Sequence, residues 1–327
     1  MQEIDIRQID QLRIGSAEDS EKGTGCTVLI CEQGAPAGVD VRGGGPASRE
    51  TELLNPVAAA QGIHAVLLSG GSAFGLNAAG GVMRFLSEHD IGFDTGVAKV
   101  PLVCQSCIFD LVVGHTDSYP DESMAYAACE AAWRGDAVSN GNFGAGMGAT
   151  VGKYRGVDYM MKSGLGTYAV QLGDLQIGAV VSVNALGDIF DIDSGEKLAG
   201  MLNEDQTAFD DTEAAMVVDA SVKENLFTAN TTIAAVVTNA AFTKTEMKKI
   251  AAMAQNGLAR SINPVHTTAD GDSVYALSTG NVQADLNRVG TLAARVLGRA
   301  VRNAVKSAEP AYGLKAWSSF HAGEAMG

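Results

Sequence analysis

The sequence lacks any apolar run of about 18 residues, the length needed to span a bilayer. Residues 1–6 form neither a basic n-region nor an apolar h-region, so no secretory signal is predicted. Lys and Arg number 23 against 38 Asp and Glu, and the net charge of −15 argues against nucleic acid or an anionic membrane surface as a partner. The 5 cysteines are too few, and odd in number, for a disulfide framework, which favours a reduced, cytoplasmic setting.

Several catalytic and binding motifs are also missing. The histidines show no HExxH or other ligand spacing, so no metal site is predicted, and no G-x-S-x-G nucleophile elbow occurs. The run 148–154 (GATVGKY) has one residue too few between its glycines and a Tyr after the Lys, so it is not a phosphate loop. Gly144-x-Gly146-x-x-Ala149 resembles a dinucleotide fingerprint but does not lie between a clear strand and a helix. We therefore expect no cofactor.

What is abundant predicts a globular, core-rich protein, with 46% hydrophobic residues and 39 glycines. Apolar stripes at helical spacing predict helices near residues 76–86, 243–258 and 286–304, and a short helix after Asp121. Strands and helices mix without strict βαβ alternation, which predicts a layered α+β architecture. Cys104 and Cys107 form a lone CxxC in a predicted strand, where two buried small residues are expected. Strands are predicted at 26–31, 37–42, 64–69, 230–239, 273–278, within 100–113 and, in two pieces, at 167–183.

The run 230–239 (NTTIAAVVTN) is dominated by β-branched residues, which predicts a buried strand. Between Leu198 and Lys223 there is no positive charge but many carboxylates, so we expect much of that stretch to be a mobile, solvated linker. A hydroxyl residue, Thr231, then begins the strand. This order suggests an N-terminal nucleophile freed by self-cleavage, and an ordinary Thr at a strand start is the alternative.

Other polar residues have two interpretations each. Asp270-Gly271-Asp272 places two carboxylates beside a strand start, which fits either a catalytic pair or a calcium-like or solvated turn. Lys153 and Asn184, taken singly, fit a surface amine and a turn amide. The strand, glycine turn and helix over 64–86 offer free backbone N–H groups to an anion or oxyanion.

Taken in order, these segments resemble one family. They are 69–76 (SGGSAFGL), the glycine-rich loop 144–153, Val183-Asn184, the strand 230–239 and Asp270-Gly271-Asp272. The combination is similar to the L-aminopeptidase/D-amidase-esterase family, which includes β-peptidyl aminopeptidases and nylon-oligomer hydrolases. The resemblance extends from about residue 13 to residue 302. It is to the subgroup of members that have Thr at the position of Thr231 and Asp-Gly-Asp at the position of residues 270–272.

The resemblance implies a four-layer αββα fold, similar to that of N-terminal-nucleophile hydrolases, in a single domain of residues 1–327. It also implies self-cleavage between Asn230 and Thr231 into an α segment, 1–230, and a β segment, 231–327. Thr231 would be the nucleophile. The residues placed around it by matching motifs are Lys153, Asn184, Asp270 and Asp272.

The chemistry follows from the ordinary behaviour of these groups. A free α-amine on Thr231, with a pKa near about 7.7–8.0, could act as the base, while Asn184 would donate to the oxyanion. Backbone N–H groups of Gly70, Gly71 and Ser72 are a second candidate for that role. One departure from the family concerns Phe109, which stands where several members have Tyr, so their substrate preference is not transferable.

The expected function is that of a self-processed aminopeptidase or amidase acting on small N-terminal amino acyl amides, peptides or esters. The alternatives are an acyl transferase of the ornithine acetyltransferase type, and a non-catalytic member of the family. The resemblance also implies a homo-oligomer, a tetramer or larger.

Overall fold

The computed structural model describes residues 1–219 and 230–321, and two large sheets dominate it. Their strands are β1 (Gln2–Ile4), β2 (Arg13–Asp19), β3 (Thr24–Ala35), β4 (Ala37–Val41), β5 (Ala47–Arg49), β6 (Ile63–Ser69), β7 (Val103–Cys107), β8 (Leu165–Leu172), β9 (Leu175–Asn184), β10 (Thr231–Ala240) and β11 (Ser273–Val282). One sheet has the order β1-β8-β9-β10-β11-β4, and the other has the order β2-β3-β6-β7-β5. Shorter strands lie at Phe93–Asp94, Lys99–Val100, Thr150–Val151, Met161–Lys162, Asp188–Phe190, Lys197–Ala199 and Ile262–Asn263.

The described residues form five α-helices, and four of them cover the outer faces of the two large sheets. They are α1 (Ala79–Glu88), α2 (Glu122–Arg134), α3 (Thr212–Val218), α4 (Lys244–Ala259) and α5 (Leu286–Lys306). Helices α1 and α2 pack on the five-stranded sheet, and α4 and α5 pack on the six-stranded sheet. The predicted capping box at the start of α4 is confirmed, since Thr243 and Glu246 bond reciprocally. Among the described residues, no helix combines the length and apolarity that crossing a membrane requires.

Strand β10 shows how one sequence serves both faces of its sheet. Successive side chains of a strand point to opposite faces. Ile233, Ala235 and Val237 pack into the layer between the two sheets, whereas Ala234 and Val236 pack against the helices. The layers therefore run helix, sheet, sheet, helix, which confirms the predicted four-layer αββα arrangement.

Two local predictions have contrasting outcomes. Cys104 and Cys107 are buried and free, as predicted, and burial raises the pKa of each thiol to about 12.

The expectation of a mobile linker before Thr231 is wrong for the stretch up to residue 219, which contains the strand Lys197–Ala199 and helix α3. The buried carboxylate of Asp188 accepts hydrogen bonds from the backbone and hydroxyl of Thr212 and so fixes the start of that helix. The remainder of that predicted linker, from residue 220, lies outside the described residues.

Candidate active site

Three strand ends meet at one edge of the six-stranded sheet. Strand β9 ends at Asn184, which lies directly opposite Thr231, the first residue of β10. Strand β11 runs parallel to β10 and pairs its first residue, Ser273, with Ile233. Because of this register, the loop carrying Asp270 and Asp272 reaches the same edge, although these residues are far apart in the sequence.

Thr231 is buried, with 4% exposure, on the face of β10 that looks toward the second sheet. Its hydroxyl donates to the carbonyl oxygen of the preceding residue, Asn230. The same carbonyl oxygen accepts the backbone N–H of Gly271 at 3.0 Å. The carbonyl that precedes the candidate nucleophile is thus contacted by a hydroxyl on one side and by an N–H group on the other.

Gly271 is required at this point by close packing. A Cβ on this residue would lie 2.7 Å from Thr231 Oγ1 and 2.7 Å from the carbonyl oxygen of Gly45. The glycine run 43–45 also binds the loop of residues 270–272. Gly43 N–H donates to the carbonyl of Asp272 at 3.4 Å, and Gly45 N–H donates to that of Asp270 at 2.8 Å.

The side-chain amide of Asn184 has its orientation fixed by its neighbours. Its Oδ1 accepts from Lys153 Nζ at 2.8 Å, from the Thr150 backbone N–H at 3.0 Å and from the Thr150 hydroxyl at 3.3 Å. The Lys ammonium and the backbone N–H can only donate. The Nδ2 end therefore points the other way, where it donates to the carbonyl oxygen of Phe109 at 3.0 Å. Phe109 thus contributes its backbone to the site.

Lys153 and the Asp pair are the charged groups of the site. Burial lowers the pKa of Lys153 to about 7, against an upward contribution from the carboxylates of Asp270 and Asp110. Burial, and then the neighbouring Asp272, raise the pKa of Asp270 to about 6. Both pKa values lie close to neutral pH, so Lys153 and Asp270 can each gain or lose a proton there, as acid–base catalysis requires.

Each carboxylate is also held by the loop before it. Asp270 accepts from the hydroxyl of Thr267 at 2.6 Å and from its N–H at 3.0 Å. Asp272 accepts from the Thr232 N–H at 2.7 Å through one oxygen and from His266 Nδ1 at 2.9 Å through the other. His266 has a left-handed backbone, with φ of 59°, which is uncommon for a residue with a side chain.

The N–H groups of the predicted glycine turn are engaged elsewhere. Gly70 N–H donates to the carbonyl of Gly25 at 2.9 Å, and Ser72 N–H donates to that of Ile108 at 2.9 Å. Gly71 N–H donates to the carboxylate of Asp110 at 2.7 Å. All three backbone N–H groups therefore donate to acceptors within the protein. For this reason we do not retain Gly70, Gly71 and Ser72 as oxyanion donors.

Sequence reasoning brought together Thr231, Asn184, Lys153 and the Asp pair, which the structure gathers at one edge. It missed Thr150, His266 and Thr267, which orient these side chains, and it missed the N–H donor role of Gly271. A signal existed only for Gly271, because a glycine between two carboxylates indicates close approach of the backbone.

Comparisons with known proteins agree on one family. Residues 5–318 match the model of peptidase family S58. The chain is 37% identical over 321 residues to an uncharacterized aminopeptidase of Mycobacterium leprae (strain TN), with 91% of this chain and 87% of that protein covered. It is 33% identical over 314 residues to the 6-aminohexanoate-oligomer endohydrolase of Kocuria sp. (strain KY2), with 90% and 83% covered.

Solved structures share the fold. The L-aminopeptidase D-Ala-esterase/amidase of Ochrobactrum anthropi, described as a variant of the Ntn hydrolase fold, superposes with a TM-score of 0.67 at 17% identity, covering 93% of this chain and 86% of that one. A β-aminopeptidase of Burkholderia sp. gives a TM-score of 0.61 at 17% identity, covering 91% and 84%.

Proposed function

Because the chain belongs to peptidase family S58, a family of hydrolases that act on peptides and amides, we propose that it is a self-processing aminopeptidase or amidase with Thr231 as its nucleophile. Its substrates would be N-terminal amino acyl amides, peptides or esters. The observation that carries the proposal is the contact of the Asn230 carbonyl oxygen with both the Thr231 hydroxyl and the Gly271 N–H.

Self-cleavage would use the peptide bond between Asn230 and Thr231. The Thr231 Oγ attacks the carbonyl carbon of Asn230, and the Gly271 N–H stabilises the oxyanion that forms. The neutral amine of Lys153, directly or through a water molecule, takes the hydroxyl proton and returns it to the departing Thr231 nitrogen. An ester replaces the amide. Water hydrolyses this ester, leaving a carboxylate at the end of segment 1–230 and a free α-amine at the start of segment 231–327.

Substrate hydrolysis would repeat this chemistry on an incoming carbonyl. The α-amine of Thr231, whose pKa is ordinarily about 7.7–8.0, takes the proton of its own hydroxyl. Asn184 Nδ2 then donates to the oxyanion, and Lys153 sets the orientation of the amide by donating to its Oδ1. An acyl ester on Thr231 forms, the amine product leaves with the proton, and water releases the acid. Linear amide oligomers should also be tested as substrates, because one relative is named as a 6-aminohexanoate-oligomer endohydrolase.

The test compares Thr231→Ala with Thr232→Val. Thr232 is the next residue, and its buried hydroxyl has no hydrogen-bond partner in the described part of the chain, which makes it a matched control. Intact-mass measurement should show Thr231→Ala as one full-length chain, silent on aminoacyl p-nitroanilides, and Thr232→Val as two segments with activity. A Thr231→Ala sample that still yields a fragment starting at 231 would overturn the proposal.

The same preparations separate the alternatives. Transfer of the acetyl group from acetyl-ornithine to glutamate by the cleaved protein would identify an acyl transferase. A cleaved, folded protein that is silent on the whole amide, ester and oligomer panel would indicate a non-catalytic member. The homo-oligomeric state and the cytoplasmic location stay predictions.

A further inference from the structure

A fully buried lysine outside the site fastens the loop that holds Asn184. Lys162 is 0% exposed, and its Nζ donates to the carbonyl oxygens of Gly146 at 3.1 Å, Ala149 at 3.2 Å and Ser163 at 2.5 Å. The Ser163 N–H donates to the same Ala149 carbonyl at 2.9 Å. The next residue after Ala149 is Thr150, whose N–H and hydroxyl bind Asn184 Oδ1. Lys162 therefore fixes the position of these donors.

A buried aspartate fixes the other side of the same amide. Asp110 is 2% exposed and accepts from Gly71 N–H at 2.7 Å and from the Thr24 hydroxyl at 2.7 Å. It follows Phe109, whose carbonyl accepts from Asn184 Nδ2. Anchoring Asp110 to two separate segments therefore places the Phe109 carbonyl.

The two anchored segments touch each other. A Cβ on Gly148, in the loop held by Lys162, would lie 2.6 Å from the Cβ of Asp110. The charges are complementary as well. Burial lowers the pKa of Lys162 to about 7 while the Asp110 carboxylate opposes this change, and burial raises the pKa of Asp110 to about 6. Two ionisable groups buried together carry a desolvation cost that an apolar pair of similar volume avoids.

We propose that Lys162 and Asp110 are positioning residues that clamp the two ends of the Asn184 amide, Lys162 through the Thr150 donors and Asp110 through the Phe109 carbonyl. The inference rests on the proposed function, because it gives Asn184 the role of oxyanion donor. Neither residue touches Thr231 in the described hydrogen-bond network, and each holds a group that binds the Asn184 amide. The clamp keeps Nδ2 at a fixed place before the reaction starts. A hydrogen-bond donor stabilises a transition state most when it is oriented in advance in this way.

The test measures kcat and KM for Lys162→Met and for a matched control, Lys244→Met. Lys244 is also a buried lysine whose Nζ donates to two backbone carbonyls, those of Ala58 and Ala60, each at 2.8 Å, but away from the site. Lys162→Met should lower kcat by roughly 10–100-fold with little change in KM, because a small misplacement of a catalytic group has effects of this size. Lys244→Met should keep kcat within about twofold, as expected of a substitution that touches only stability.

A double-mutant cycle with Asn184→Ala separates this inference from the proposed function. If Lys162 acts through Asn184, Lys162→Met should lower kcat less than about threefold further once the amide is gone. An equal loss in both backgrounds overturns the clamp. Wild-type kcat in Asn184→Ala alone overturns the oxyanion role of Asn184, and with it the proposed function of that residue, whatever Lys162 does.

A second measurement covers the case in which Lys162→Met does not fold. Asp110→Asn keeps the shape of the side chain while removing the charge opposite Lys162. In the uncleaved Thr231→Ala background, hydrogen exchange of the Asn184 side-chain amide should become at least about tenfold faster in Asp110→Asn than in Lys244→Met, because its hydrogen bond to the Phe109 carbonyl opens more often. Equal exchange in the two proteins overturns the clamp.

Discussion

Gly271→Ala tests the centre of the proposed mechanism with one methyl group. The new Cβ would lie 2.7 Å from Thr231 Oγ1, 2.7 Å from the carbonyl oxygen of Gly45 and 3.1 Å from the Cα of Pro46. Real Cβ atoms essentially never approach neighbours to 2.7 Å, and the Gly45 oxygen and the Pro46 Cα belong to backbone that cannot turn away. The 271 peptide must therefore shift, and its N–H moves off the Asn230 carbonyl oxygen that it binds at 3.0 Å.

The size of the effect follows from the role of that N–H group. Removing one oxyanion donor costs about 2.7–4 kcal/mol of transition-state stabilisation. At 25 °C this corresponds to a self-cleavage rate lower by roughly 10²–10³-fold. The overpacking itself lowers the free energy of unfolding by about 1–3 kcal/mol, an effect that a control must reproduce without touching the site.

Gly92→Ala supplies that control. A Cβ there would meet the backbone carbonyl carbon of Val100 at 2.7 Å, an equally close approach beside the short strands Phe93–Asp94 and Lys99–Val100. The assay follows the loss of full-length chain by intact mass after synthesis, together with the free energy of unfolding. Gly92→Ala should be destabilised and fully cleaved, whereas Gly271→Ala should accumulate precursor. Equal cleavage rates in the two variants would refute the oxyanion role of the Gly271 N–H.

Two further predictions concern the groups around Thr231. Self-cleavage should accelerate as pH rises through the Lys153 pKa of about 7, because only the deprotonated amine is a base; precursor loss followed from about pH 5 to about pH 9 measures this. Lys153→Arg should stay slow throughout, and a rise that survives in it would assign the titration to another group, such as Asp270. His266→Ala removes the 2.9 Å hydrogen bond to Asp272. It should lower the free energy of unfolding, measured by urea denaturation, by about 1.5–3 kcal/mol. The exposed His115→Ala is its control, and equal losses in both would contradict a stabilising hydrogen bond between His266 and Asp272.

The sequence predicted the elements well where the signal is local. Strand β10 begins at Thr231, one residue after the predicted start, because β-branched residues persist through the run. Helix α4 begins at its predicted capping box. The four layers were expected only through the family resemblance. A continuous run of β-branched and apolar residues, such as that of β10, indicates that both faces of a strand are buried but does not show which partner covers each face.

The acidic stretch could not be predicted because its partners are distant in the sequence. Composition alone indicates solvated chain, yet Asp188 anchors Thr212, and Lys197 donates to the carboxylate of Asp188 at 2.7 Å. The same limit applies to the site. Thr150 matters only because the register of β9 places Asn184 opposite Thr231, and periodicity within one segment carries no information on pairing between segments.

On the proposed mechanism, the Asn230 acyl group occupies the place that a substrate acyl group later takes. The Gly271 N–H is already bonded to the Asn230 carbonyl oxygen, so the carboxyl end of the α segment must leave Thr231 before a substrate oxygen can use that donor. Cleavage therefore precedes hydrolysis, and a change at Gly271 should slow both steps. Asn184 Nδ2 already donates to the Phe109 carbonyl oxygen at 3.0 Å, so its direction is set before a substrate binds. The ratio of the two rate losses in Gly271→Ala thus measures how closely the substrate oxygen reproduces the position of the Asn230 oxygen.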